Sequence, residues 1–187
     1  MTAVQQRDVV DLLQKQHEEI KSLFNQVKVA QGEQKRQLFQ ELVRLLAVHE
    51  SAEEIVVHPE ARQQAGEQVV QARLQEEDEA KHTLAELYDM GTDHPQFNTK
   101  LESLAQSVIA HAEREEQEEF PQLRQKLSAD RLRQMAGAVE AAEKIAPTRP
   151  HPGTGESAMA NLLAGPPLAI FDRIRDAVRD WRESRNR

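Results

Sequence analysis

Two stretches of this chain repeat one arrangement of ligand-type residues. His49-Glu50-Ser51-Ala52-Glu53-Glu54 leads to Pro59, and His111-Ala112-Glu113-Arg114-Glu115-Glu116 leads, at the same distance, to Pro121. Residues i and i+4 of a helix lie one turn apart on one face, so His49 with Glu53, and His111 with Glu115, each offer a nitrogen and a carboxylate oxygen to one ion. His17 and His82 precede these motifs by 32 and 29 residues, and the chain divides into two units of the form H…HxxxE. Four imidazoles and two carboxylates without sulfur suit iron, manganese or zinc. Six donors exceed the four of tetrahedral zinc and suggest two ions bridged by the carboxylates. Ferritin-type bundles carry the acid before the histidine, as Glu-x-x-His; here the order is reversed and the spacing is four.

Donors on separate segments converge only if the segments are rigid and parallel. Apolar residues recur at the 3.6-residue period in five stretches, and no alternating strand pattern is present. The first helix is predicted over about 7–29, with Val9, Leu12, Leu13, Ile20, Leu23, Phe24 and Val27 on one stripe. The second is predicted from about Glu33 to Val57, with Pro59 marking its end, and the third from Gly66 to Met90. The turn cluster Gly91-Thr92-Asp93-His94-Pro95 precedes a fourth over about 96–119, ending near Phe120-Pro121. Short loops between helices of this length predict an all-α, up-down-up-down four-helix bundle. A fifth helix is expected from Ser128, its N-cap, to Ala146, completing a bundle unit of residues 1–146. Residues 147–167, rich in Pro and Gly, read as a linker. Residues 168–187 read as a C-terminal amphipathic helix whose six Arg face four acidic residues, suited to docking on an acidic body or a neighbouring subunit.

Composition removes several alternatives. The 187 residues contain no Cys, which excludes disulfides, thiolate zinc and iron–sulfur clusters. Thirty-two acidic against 24 basic residues, net charge -8, argue against a nucleic-acid binder, whose affinity rests on clustered Lys and Arg. No apolar run reaches the roughly 18 residues of a membrane span. The N-terminus lacks a basic segment followed by an apolar one, so no secretory signal and a cytoplasmic location are expected.

The motifs resemble those of the hemerythrin-like, HHE cation-binding domains. DVVDLLQKQHEEIKSLF is similar to their opening motif, and HESAEEIVVHP and HAEREEQEEFP to their two HxxxE motifs, a resemblance covering about residues 6–125. It implies a hemerythrin-like bundle with a non-haem centre of two Fe ions held by His17, His49, Glu53, His82, His111 and Glu115, the two glutamates bridging. GPPLAIFDRIRDAVRDW resembles C-terminal extensions of actinobacterial members. Oxygen-carrying hemerythrins place His-x3-His on the third helix, whereas here His82 is followed by Glu86, so one nitrogen donor is missing. A carboxylate or an open position there favours ferric iron and access of small oxidants. The implied ligands are therefore O2, H2O2 or NO, with catalase-like peroxide decomposition as the candidate activity in oxidative stress, in a monomer or weak homodimer. An iron or oxygen sensor signalling through the C-terminal helix is the alternative. His58, His94 and His151 are expected to be exposed, Glu50, Glu54 and Glu116 to face solvent, and Tyr88 to serve packing.

Overall fold

The computed structural model describes residues 7–145 and 167–185, and among these every regular element is helical. Helix α1 (Val9–Val29) opens on a capping box: Asp8 accepts from the Asp11 N–H at 2.9 Å, and Asp11 from the Asp8 N–H at 3.1 Å. Its predicted apolar stripe is buried throughout. Helix α2 (Gly32–Ala52) packs against α1 and buries Leu42, Leu45 and Leu46. Each such leucine, leaving water, contributes about 1.5–3 kcal/mol.

The sequence places the ends of the second and fourth helices at Pro59 and Pro121; the structure runs both helices through the proline. One π-turn, Glu53–Val57, joins α2 to α3 (His58–Gln64), and another, Glu115–Glu119, joins α5 (Phe97–Arg114) to α6 (Phe120–Lys126). In each the residue before proline bonds five residues back, His58 N–H to the Glu53 carbonyl and Phe120 N–H to the Glu115 carbonyl. The widened turn relieves the clash a proline ring makes with the carbonyl four residues earlier in a plain α-helix.

Helix α4 (Glu67–Met90) runs between Gly66 and Gly91, whose φ values of 105° and 77° turn the chain in a region other residues rarely adopt. It packs on α5, and α5 on α1, completing the bundle of α1, α2, α4 and α5. Helix α7 (Ala129–Ile145) follows Ser128, whose hydroxyl accepts from the Arg131 N–H at 3.2 Å, and lies against α1 and α2. The expected linker falls outside the described residues except for Pro167, which opens α8 (Pro167–Arg185). Helix α8 rests on α2, α4 and α7 and buries Ile170, Phe171 and Ile174. No helix among the described residues is long and apolar enough to cross a membrane.

Candidate metal centre

The two π-turns begin at the two motif glutamates, Glu53 and Glu115, both fully buried. His49 and His111 lie one turn earlier on α2 and α5, and His17 faces them from the middle of α1. His17 Nε2 is 3.2 Å from His49 Nε2 and 3.4 Å from Glu115 Oε2. His49 Nε2 is 3.3 Å from Glu53 Oε2, and His111 Nε2 is 3.4 Å from Glu115 Oε1. Bonds of about 2.0–2.2 Å to a common ion place neighbouring donor atoms about 3–4 Å apart, so these separations fit ligands around a cation.

Two groups of donors meet this requirement, each with its atoms within 4.8 Å of one another: His17, His49, Glu53 and Glu115, and Glu53, Glu77, His111 and Glu115. The groups share Glu53 and Glu115. One pair of buried carboxylates is thus common to both groups.

The outer nitrogens of the histidines are committed elsewhere. Nδ1 of His17 donates to Glu116 at 2.7 Å and Nδ1 of His111 to Glu76 at 2.9 Å. Nδ1 of His49 donates to the Gln16 amide oxygen at 2.8 Å, the amide being oriented by Gln16 Nε2 donating to Glu143 at 2.7 Å. Such bonds fix the tautomer that turns Nε2 toward an ion. Phe120 stacks on His17 with ring centres 5.8 Å apart and locks that ring further. Both carboxylate oxygens of Glu53 and of Glu115, and Glu77 Oε2, are buried without a hydrogen-bond partner among the described residues. Buried polar atoms left so cost free energy unless something fills the place, and a cation satisfies all of them at once.

The electrostatics agree. Burial, then the charges of Glu115 and Glu77, push the Glu53 carboxyl well above its usual range. Burial and neighbouring His17 hold His49 well below its ordinary value, hence neutral and able to ligate. Burial opposes charge on His111, but Glu115 and the bond to Glu76 outweigh it and raise the imidazole to about 12. Burial likewise works against a charged Glu115, yet His111 holds it well below the usual carboxylate range. Without an ion, protons on Glu53 and His111 offset the excess buried negative charge; a cation displaces them.

His82 is the predicted ligand that the structure sets apart. Its side chain is 65% exposed, and Nδ1 donates to the Asp78 carbonyl at 2.8 Å. Glu86 is exposed and paired with Lys100. The inward stripe of α4 is Val70, Arg73, Glu77, Leu84 and Leu87; five residues beyond Glu77, His82 is rotated about 140° away. The seven-residue interval from Val70 to Glu77 to Leu84 marked Glu77 as inward.

Four other expectations are corrected. His58 is buried, not exposed, with Nε2 2.6 Å from Glu77 Oε1. Glu50 is buried beside the Lys81 ammonium at 3.5 Å, and burial raises its carboxyl to about 8 despite that cation. Glu116, only 30% exposed in its side chain, is the acceptor for His17. Tyr88 lies at the surface. Behind His58, Glu119 is buried 3.9 Å from Nδ1 and Arg73 stands 3.8 Å from Glu119. His58 falls half a turn from the His49 face only on an unbroken helix; the π-turn re-aims it.

Beside the donors is a narrow cavity lined by Ile20, Leu46, Ala80, Val108, Ile109 and Ala112 together with His17, His49, Glu50, Glu77 and His111. It leaves about 20 Å³ for the centre of a water-sized sphere, room for a ligand of one or two heavy atoms.

The hemerythrin HHE cation-binding domain matches residues 8–123. A hemerythrin-like protein of Schizosaccharomyces pombe is 30% identical over 179 residues, 92% of this chain and 87% of that protein. A DNA nickase of Nostoc sp. is 28% identical over 140 residues, covering 74% of this chain but 40% of its own length. The crystal structure of a hemerythrin HHE cation-binding domain-containing protein from Mycobacterium kansasii superposes with a TM-score of 0.72 at 20% identity, over 89% of this chain and 99% of that one.

Proposed function

Because the chain belongs to the hemerythrin HHE cation-binding family, we propose that it holds two iron ions bridged by Glu53 and Glu115 and binds O2, H2O2 or NO beside them. The observation that carries this reading is the pair of four-donor groups sharing two buried carboxylates, set against a cavity of one or two heavy atoms. When bound, an iron pair supplies two-electron redox chemistry toward such ligands.

The chain's own residues supply the rest. Glu116, Gln16 and Glu76 orient the three imidazoles, and Phe120 with Ile20 and Leu46 excludes bulk water from them. The apolar lining rejects organic substrates by size and admits small neutral molecules. Peroxide disproportionation, two H2O2 to two H2O and one O2, needs no partner larger than this cavity accepts. The test is iron content with oxygen-electrode assay. Two irons per chain and oxygen release from peroxide support the enzyme; two irons without oxygen release leave reversible binding, and fewer than one iron removes both.

One contact favours the sensor alternative. The Phe171 ring of α8 lies 5.4 Å from Lys81 Nζ, the ammonium beside Glu50 and Glu77, and Arg175 is 3.8 Å from Glu54, next to Glu53. A change of charge at the centre reaches α8 through these residues. Limited proteolysis with and without iron decides: equal cleavage within α8 in both states eliminates signalling by this route.

A further inference from the structure

Resting on the reading of a small-ligand centre above, we propose that O2, H2O2 or NO enters the cavity through one face of the bundle, between α4 and α5, where Ala80 and Ser107 set the width of the entrance. A four-helix bundle has four seams, and among the described residues three are obstructed. Helix α7 lies over α1 and α2, and α8 over α2 and α4. On the α2–α4 side the Phe171 ring of α8 is 5.4 Å from Lys81 Nζ, and Lys81 is 3.5 Å from Glu50 in the cavity wall. Between α1 and α5 a recess of about 70 Å³, measured as for the cavity, meets it only at Lys21 and Ile109. Lys21 is held by Glu18 at 3.0 Å, Ile109 is bulky and branched, and Lys28 pairs with Glu102 across that seam.

The α4–α5 seam is different. Along it runs a groove of about 450 Å³, with Thr83, Ser103 and Ala110 among its walls. Glu76, Ala80 and Ser107 line both this groove and the cavity. Glu76 is held in place: it accepts from Arg114 at 3.0 Å and from His111 Nδ1 at 2.9 Å, and pairs with Arg73 at 3.1 Å. The Ser107 hydroxyl turns back on its own helix and donates to the Ser103 carbonyl at 3.2 Å. Beside the fixed Glu76, the partition between groove and cavity is therefore the methyl of Ala80 and the short side chain of Ser107. Ordinary side-chain and helix motion opens so thin a partition to a molecule of two heavy atoms, while a larger one is turned away. The two added helices, α7 and α8, thus direct entry to the opposite side of the bundle.

The chain has no Cys, so a single thiol can be introduced and capped reversibly. Ser107→Cys, at an exposed position, is loaded with iron, reduced, and mixed anaerobically with NO in a stopped-flow absorbance experiment, before and after capping with benzyl methanethiosulfonate. The cap is expected to slow NO association about tenfold or more, and its removal by a thiol reductant to restore the rate. An entrance is a barrier on the path, so dissociation slows by the same factor and Kd stays unchanged; damage to the centre would alter Kd. Ala80→Leu is expected to show the same paired slowing, with iron content as in the unaltered chain. Asn25→Cys, exposed at the rim of the α1–α5 recess and capped in the same way, is expected to leave both rates unchanged. Unchanged rates in both capped Ser107→Cys and Ala80→Leu overturn the route while the iron centre stands, as does slowing by the Asn25 cap alone. An unaltered chain that retains no iron, or whose iron takes up no NO, defeats instead the reading on which the route rests.

Discussion

The two HxxxEE arms match at His49 and His111, at the two glutamates that follow and at the proline, and differ at the residue before that proline. In the second arm that residue is Phe120, stacked on His17; in the first it is His58, bonded to Glu77. The second arm therefore ends in a dry wall behind a nitrogen-rich donor group, while the first ends in His58, which meets Glu119 of the second arm and, through it, Arg73 of α4 behind an oxygen-rich one. Pattern repetition makes the two shared carboxylates; departure from repetition makes the two positions different.

Removing a shared carboxylate erases the distinction altogether. Glu115→Ala is expected to drop metal content from two ions per chain to none, since both donor groups lose a ligand, and elemental analysis of the desalted protein checks it. His49→Ala, by contrast, strikes the first position alone, and half the metal is expected to remain.

Making the arms identical is the next largest perturbation. His58→Phe copies the second arm and releases Glu77; affinity at the second position is expected to fall about 10-fold or more, with the first unaffected. Stepwise metal titration followed by calorimetry resolves the two events.

A pH series sharpens the contrast between protonated and ion-loaded states. Burial raises the Glu50 carboxyl to about 8 and the Glu119 carboxyl to about 7, both above their unfolded value of 4.5. At these two groups the folded ion-free chain binds more protons than the unfolded chain, and their contribution to stability is expected to fall as pH rises from about 4.5 toward 8, while His49, held below 6.5, contributes the opposite sign up to that pH. His111, raised from 6.5 to about 12, adds a loss of the same sign above 6.5. Metal affinity moves oppositely, because the ligands must shed protons. The gap between loaded and ion-free Tm is expected to widen with pH; a constant gap from pH 5 to 8 contradicts this electrostatic account.

The smallest expected effect lies outside the centre. Asp8 caps α1 and accepts from Arg124 of α6, tying the second arm to the bundle. Burial opposes the charged form of Asp8, but Arg124 and the Asp11 N–H hold its carboxyl below the usual range. Asp8→Ala is expected to cost about 1 kcal/mol in denaturant unfolding while leaving metal content unchanged.

Periodicity was sufficient for the bundle, because a helix with one apolar stripe has few ways to bury it; the stripes of α1 and α5 are buried as their spacing requires. The repeated motif likewise brought His49, Glu53, His111 and Glu115 together with His17. On α4 the H…HxxxE pairing pointed to His82, whereas the apolar phase of Val70, Leu84 and Leu87 places Glu77 inward. His58 was illegible for a different reason. Its direction depends on a π-turn, and a backbone bond to the fifth residue leaves no mark in the pattern of residue types.

That turn also separates what can be altered from what must be kept. It holds one residue more than a regular helical turn, so deleting one residue between Glu54 and Val57 restores a plain helix and rotates α3 by about 100° relative to α2. His49 and Glu53, upstream, stay in place, while His58 swings away from Glu77. A single deletion there thus acts as a switch of register, turning one half of the donor cluster while leaving the other in place.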